Sequence, residues 1–114
     1  MRRVIIESPY HADTPEGLAR NIAYARRAMM DCLNRGESPI ASHLLYTQML
    51  DDTDPKQRAL GIAAGLAWGD VCHAVIVYID YEITDGMRAA LREHRKAQRC
   101  INYRVIGRTI DTGE

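Results

Sequence analysis

The chain carries no surplus of charge: its 15 basic and 15 acidic side chains cancel over 114 residues, which removes the general attraction that draws basic proteins to nucleic acid. It also lacks a long apolar run. The stretch from Leu60 to Ile79 is interrupted by Gly61, Gly65, Gly69, Asp70 and His73, short of the roughly 20 apolar residues that a membrane helix needs. A signal-peptide core is missing, because Met1-Arg2-Arg3-Val4-Ile5-Ile6 runs into Glu7 and Pro9, so the expected location is the cytoplasm. Cysteine is scarce: Cys32, Cys72 and Cys100 are odd in number and without C-x-x-C spacing, which favours reduced thiols over a disulfide framework or a zinc site. No G-x-G-x-x-G or G-K-[ST] signature is present, which disfavours dinucleotide binding of the usual kind and P-loop hydrolysis. What remains is a chain 46% apolar and 26% charged, the composition of one folded domain.

The apolar pattern alternates between two periods. Arg3-Val4-Ile5-Ile6-Glu7 reads as a strand covered on both faces. Thr14-Pro15-Glu16 then starts a helix, with Leu18, Ile22, Ala25, Met29 and Cys32 as its inward stripe, Asp31 elsewhere, and Gly36 available for a left-handed cap. Pro39-Ile40-Ala41-Ser42 predicts a second strand, and part of the following His43–Gln48 segment is helical. Asp54-Pro55 opens a helix ending near Trp68-Gly69, Ala74 to Asp80 is a central strand, Thr84-Asp85-Gly86-Met87 starts another helix, and Ile101 to Ile106 is the last strand. Strands alternating with crossover helices give an α/β, flavodoxin-like three-layer sandwich, with a parallel sheet of about four strands in the order 2-1-3-4. The domain is expected to span residues 1–107, with a flexible tail over 108–114.

In such a sheet, ligands bind beyond the carboxyl ends of the strands. Three loops converge there: Glu7 to His11, Ser42 to Tyr46, and Asp80 to Gly86. Asp80 is a candidate to hold ribose hydroxyls, or alternatively a turn acid. Tyr10 can stack on a base, or pack as a partly exposed ring. His43 can meet a phosphate or transfer a proton, or serve as a hydrogen-bonded structural histidine. His11, His73 and His94 show no metal-ligand spacing, and His94 falls on an apolar stripe, so neither a metal nor a cofactor is expected. Residues 87–110 hold seven basic side chains and one acid, against seven acids and two bases over 50–86. That segregation suits self-association, or simply a solvated helix face.

Glu7-Ser8-Pro9-Tyr10, Asn21 with Tyr24-Ala25, Ala41 to Gln48, Arg58 with Gly61, and Asp80 with Asp85-Gly86-Met87 together resemble the small, mostly phage-borne relatives of the nucleoside 2-deoxyribosyltransferases, within the Rossmann-like N-glycosidases. The resemblance implies a nucleoside or nucleotide pocket and a homo-oligomer, in a host cytoplasm if the chain is phage-encoded. It also implies a nucleophilic glutamate four residues after the loop glycine; counting from Gly86, that position holds Ala90. Asp80 or Asp85 is then the candidate catalytic carboxylate, with Ser8, Tyr10, Asn21, His43, Tyr46, Gly86 and Met87 as candidate binding residues.

The expected function is therefore binding of a small-molecule nucleoside or nucleotide, with cleavage or transfer at its N-glycosidic bond. The alternative that Ala90 suggests is a non-catalytic protein that sequesters a nucleotide or nucleotide-derived signal. A structural oligomer with a vestigial pocket is the third reading.

Overall fold

The computed structural model describes residues 1–109. In chain order the elements are β1 (Arg2–Glu7), α1 (Pro15–Asn34), β2 (Glu37–Ile40), α2 (Ser42–Leu45) running into a 3-10 turn, α3 (Pro55–Ala67), β3 (Ala74–Tyr78), α4 (Asp85–Lys96), β4 (Ile101–Val105) and β5 (Arg108–Thr109). The first four strands are parallel in the order β2-β1-β3-β4, and β5 adds an antiparallel edge beside β4. The segment expected to be a tail therefore begins with two paired residues; its remainder, 110–114, lies outside the described residues. No helix among the described residues is long and apolar enough to cross a membrane.

The local signals behave as their chemistry dictates. Thr14 Oγ1 accepts the Gly17 amide at 3.0 Å ahead of Pro15, the first residue of α1, and satisfies a donor that the helix leaves orphaned. Gly36 takes a φ of 79° just after the helix, a conformation that costs a side-chain-bearing residue more than glycine. Both faces of the sheet are buried. Val4, Ile6, Ala74, Ile76 and Tyr78 meet Tyr24, Ala28 and Cys32 of α1, while Ile5, Val75 and Val77 meet Met87 and Leu91 of α4. That double burial explains why β1 and β3 read as continuous rather than alternating apolar runs.

The fully buried face of α1 shares Ala25 and Cys32 with the stripe that periodicity selects, while Leu18, Ile22 and Met29 are only partly buried. Its buried residues are Asn21, Tyr24, Ala25, Ala28, Asp31 and Cys32, so the face is rotated to include two polar side chains. Asp31 is drawn in by a network: it accepts from Tyr78 Oη at 2.7 Å, Arg35 Nε at 2.9 Å and the Gly107 amide at 2.9 Å. Beside it, Arg104 at the carboxyl end of β4 reaches diagonally across the twisted sheet to Glu37 at the amino end of β2, with two hydrogen bonds of 2.7 and 3.1 Å. This ion pair also moves β2 earlier than the predicted Pro39–Ser42, because Glu37 belongs to the interior. Burial alone raises a carboxyl pKa, yet the hydrogen bonds of Arg104 hold Glu37 below its ordinary value, and those of Tyr78, Gly107 and Arg35 do the same for Asp31.

Removing one partner of a buried pair strands the other charge. Arg104→Met is expected to cost about 3–5 kcal/mol in urea unfolding at neutral pH. Because Glu37 and Asp31 are depressed in the folded state, their contribution is complete above the ordinary carboxylate range and is lost as pH falls through the folded values. The Glu37 part of that acid sensitivity disappears in Arg104→Met, as melting curves against pH will show.

Candidate functional site

A cavity of about 790 Å³ opens on the α4 side of the sheet, a size common for small-molecule sites. Its base is the carboxyl end of β1, with Glu7, Ser8 and Tyr10; one wall is α3, with Arg58, Ile62 and Leu66; the opposite wall is the first half of α4, from Gly86 and Met87 to Ala90, Arg92 and Glu93. Close approach of helices shapes the α3 wall. A methyl at Gly65 would overlap the Ser42 side chain, so glycine there lets α3 lie directly on α2. The α4 wall begins with a reciprocal cap, Thr84 Oγ1 accepting from the Met87 amide at 3.2 Å and Met87 Sδ from the Thr84 amide at 3.4 Å. The Arg58 guanidinium sits close to Gly86, Nη2 being 3.8 Å from where a Cβ on that glycine would stand. It has no side-chain partner among the described residues. A free cation beside a helix N-terminus makes this end of the cavity suited to an anion.

Ser8, Tyr10, Asp85, Gly86 and Met87, five of the residues singled out from sequence, line this cavity. His43 and Tyr46 line a small adjoining pocket of about 70 Å³ that shares Ser42, Asp52, Arg58 and Ile62 with it. His43 is tied to the main cavity through Ser8, whose Oγ lies 2.8 Å from Nε2, and its ring meets Tyr10 edge-on at 6.2 Å. Burial pushes the His43 pKa below its ordinary value, against the opposing pull of the Glu7 charge, so the imidazole is neutral at pH 7. Tyr46 Oη accepts the Trp68 indole N–H at 2.8 Å.

Asn21 and Asp80 lie elsewhere. Asn21 is buried, and its Nδ2 donates to the carbonyls of Tyr10 at 2.8 Å and His11 at 3.4 Å; it shapes the loop that carries Tyr10 rather than facing the cavity. The expectation that Asp80 shares a hollow with Tyr10 is corrected by its partners. Its carboxylate accepts from Tyr24 Oη at 2.6 Å and from the Ile106 amide at 3.1 Å, while its own amide donates to Tyr24 Oη at 2.8 Å. Burial and the hydrogen bond to Asp80 raise the Tyr24 pKa, so this phenol stays protonated and Asp80 stays on the α1 side. Arg20 holds the same loop there, stacked 4.3 Å from the Tyr81 ring and paired with Glu82 at 3.0 Å. Asp85 lines the cavity mouth, but its carboxylate is fully exposed and bonded to Arg88 at 3.2 Å.

Sequence reasoning placed Glu7 in the first loop and His94 on an apolar stripe but gave neither a role in the site. His94 is completely buried, and its Nε2 lies 2.8 Å from Glu7 Oε2. An apolar stripe hides such a residue, since its partners, Glu7, 87 positions earlier, and Arg99, beyond the helix end, are what explain why the imidazole is inside. No cluster of three His, Cys, Asp or Glu side chains that would suit a metal ion occurs among the described residues.

A family model described as a domain of unknown function, DUF7768, matches residues 2–104. The chain belongs to this family. Among solved structures, it is similar to a 2-deoxyribosyltransferase from the psychrotolerant bacterium Bacillus psychrosaccharolyticus, described as a biocatalyst for the synthesis of antiviral and antitumoral nucleosides, with a TM-score of 0.68 at 11% identity over 96% of this chain and 77% of that one. At that identity the likeness establishes the Rossmann-like fold of this DUF7768 chain. No curated protein matches it.

A neutral, half-buried imidazole gives the site a pH signature. With the folded pKa of His43 below that of the unfolded chain, its contribution to stability is complete above about pH 6.5 and declines as pH falls toward the folded value. His43→Gln is expected to flatten this part of the stability profile between pH 7 and pH 5. Imidazole resonances followed by NMR will show His43 titrating below the ordinary histidine value.

Proposed function

We propose that this DUF7768 chain binds a nucleoside or nucleotide in the cavity between α3 and α4 and acts on its N-glycosidic bond. One observation carries the reading: a single cavity at the carboxyl edge of the sheet joins an aromatic ring, an anion-suited end and carboxylates. Tyr10 offers a face for a base, Arg58 beside the start of α4 offers a phosphate site, and Glu7 lies on the floor between Ser8 and the α4 wall. The volume accommodates a mononucleotide. The solved deoxyribosyltransferase with the same fold supports the choice of ligand class.

A second reading, sequestration of a nucleotide or nucleotide-derived signal without turnover, is favoured by Ala90, whose methyl lines the α4 wall where a carboxylate would otherwise project. Both readings include a homo-oligomer in the cytoplasm. Met49, Leu60, Ile62 and Trp68 leave apolar surface exposed on and around α3, a patch that a second copy would cover.

Calorimetry with matched pairs of deoxynucleosides and their 5′-monophosphates tests the ligand class. A charge-assisted hydrogen bond contributes about 1.5–3 kcal/mol, so Arg58→Ala is expected to weaken the monophosphate by about 10- to 100-fold while changing the nucleoside little. Equal losses for both ligands would remove Arg58 as the phosphate site, and no binding by either would overturn the reading.

A further inference from the structure

We propose that Glu7 is the nucleophilic carboxylate of this site, held in its reactive orientation by a buried relay through His94 and Arg99. The proposal rests on the nucleoside reading above and assigns its chemistry to a particular residue.

Glycosidases that retain configuration commonly place a carboxylate at the anomeric carbon as nucleophile. Four acids line the cavity: Glu7, Asp52, Asp85 and Glu93. Asp85 is bonded to Arg88 in full solvent exposure, and Glu93 is half exposed and paired with Lys96 at 3.3 Å. Asp52 sits on the loop before α3. Glu7 alone combines low exposure, 17% of its side chain, with a contact that fixes its direction.

The hydrogen-bond chain settles the protonation of that contact. Arg99 Nη1 lies 2.8 Å from His94 Nδ1, and Arg99 Nη2 donates to Asp70 Oδ1 at 2.7 Å. A guanidinium has only donors, so Nδ1 must accept. The ring proton is therefore on Nε2, which donates to Glu7 Oε2 at 2.8 Å. Glu7 Oε2 is thus an acceptor held by the imidazole N–H, and Oε1 has no partner among the described residues. The relay has its own steric requirement, because any side chain at Gly69 would overlap the Arg99 guanidinium. Glycine at that position lets Arg99 close over His94. One turn before His94 on the α4 wall, the small Ala90 leaves room for a sugar beside Glu7.

In the first step Oε1 bonds to the anomeric carbon as the C–N bond breaks. The bonding pair leaves on the base nitrogen, which takes a proton from water. Hydroxide equivalent to that water then attacks the same carbon, and the ester C–O bond breaks with its pair returning to Glu7. The net change is hydrolysis to free base and sugar. Glu7 is the catalytic residue; His94 and Arg99 are positioning residues that act through it.

The test combines base release, calorimetry and trapping with a 2-fluoroarabinosyl nucleoside, whose electron-withdrawing fluorine slows loss of the sugar ester. In Glu7→Gln, turnover is expected to fall by about a thousandfold or more, with the thermal melt and ligand binding retained. Glu7→Asp, which keeps the charge but shortens the reach, is expected to recover part of the rate. In the wild type, the peptide containing Glu7 is expected to gain the mass of the fluorosugar. Arg99→Met is expected to lower kcat more than it raises KM, and Arg99→Lys, which restores a donor, to recover part of the loss. Unchanged turnover in Arg99→Met would overturn the relay. Base release that persists in Glu7→Gln, or an adduct on another residue, would overturn Glu7 while leaving an N-glycosidase. Nucleotide binding without base release would overturn Glu7 and leave sequestration. Failure of every nucleoside and nucleotide to bind would overturn the underlying function and this assignment together.

Discussion

The contact between His94 and Glu7 ties the carboxyl end of β1 to the last turns of α4, and the cavity depends on it. Without a partner for its imidazole, a completely buried histidine would be a liability, since an unsatisfied polar group in the interior costs about 1–3 kcal/mol. With Arg99 on one nitrogen and Glu7 on the other, the ring becomes a fixed strut. The strut holds α4 at the distance that leaves an open space between its amino-terminal half and α3. The same contact keeps a carboxylate inside the cavity, where an ordinary surface glutamate would turn outward to water.

The two faces of the sheet divide the work between them. On the α1 face, Tyr24, Tyr78, Arg104, Glu37 and Asp31 form a buried and largely satisfied polar lattice that fixes strand positions and the loops beyond β3 and β4. Asp80 belongs to that lattice, so its position at the end of the central strand serves architecture. On the α4 face the contacts are looser: Gly65 is the buried residue of α3, and Leu60 and Ile62 remain exposed. A rigid face opposite an open one is what a ligand site requires, because side chains bind with little reorganisation only where their support is already fixed.

The architecture was legible because parallel strands buried on both sides leave unbroken apolar runs, and because Thr14-Pro15 and Thr84-Asp85 are helix starts with a physical cause. Crossover handedness limited the strand orders, among which 2-1-3-4 fitted best. The site was legible only where proximity follows from topology: Ser8, Tyr10, Gly86 and Met87 lie at the carboxyl edge whatever the side-chain packing. Asp80 shares that edge, but its direction was set by Tyr24, 56 residues away in sequence, which no local pattern encodes. Asp31 and Glu37 were misread or passed over, and His94 was placed on its buried stripe without a role, for one reason. A polar residue on a buried face looks like an error in periodicity until its partner is found, and the partners Tyr78, Arg104 and Glu7 are joined to them only by the fold.

The most direct measurement is a crystal structure of Glu7→Gln bound to a deoxynucleoside 5′-monophosphate, which should hold uncleaved substrate. The account predicts the anomeric carbon about 3–3.5 Å from the side-chain amide nitrogen of residue 7, which stands where Oε1 stood while the amide oxygen accepts from His94, with the base toward Tyr10 and the phosphate at Arg58 and the start of α4. A sugar seated away from residue 7, or a nucleotide bound outside the space between α3 and α4, would contradict it.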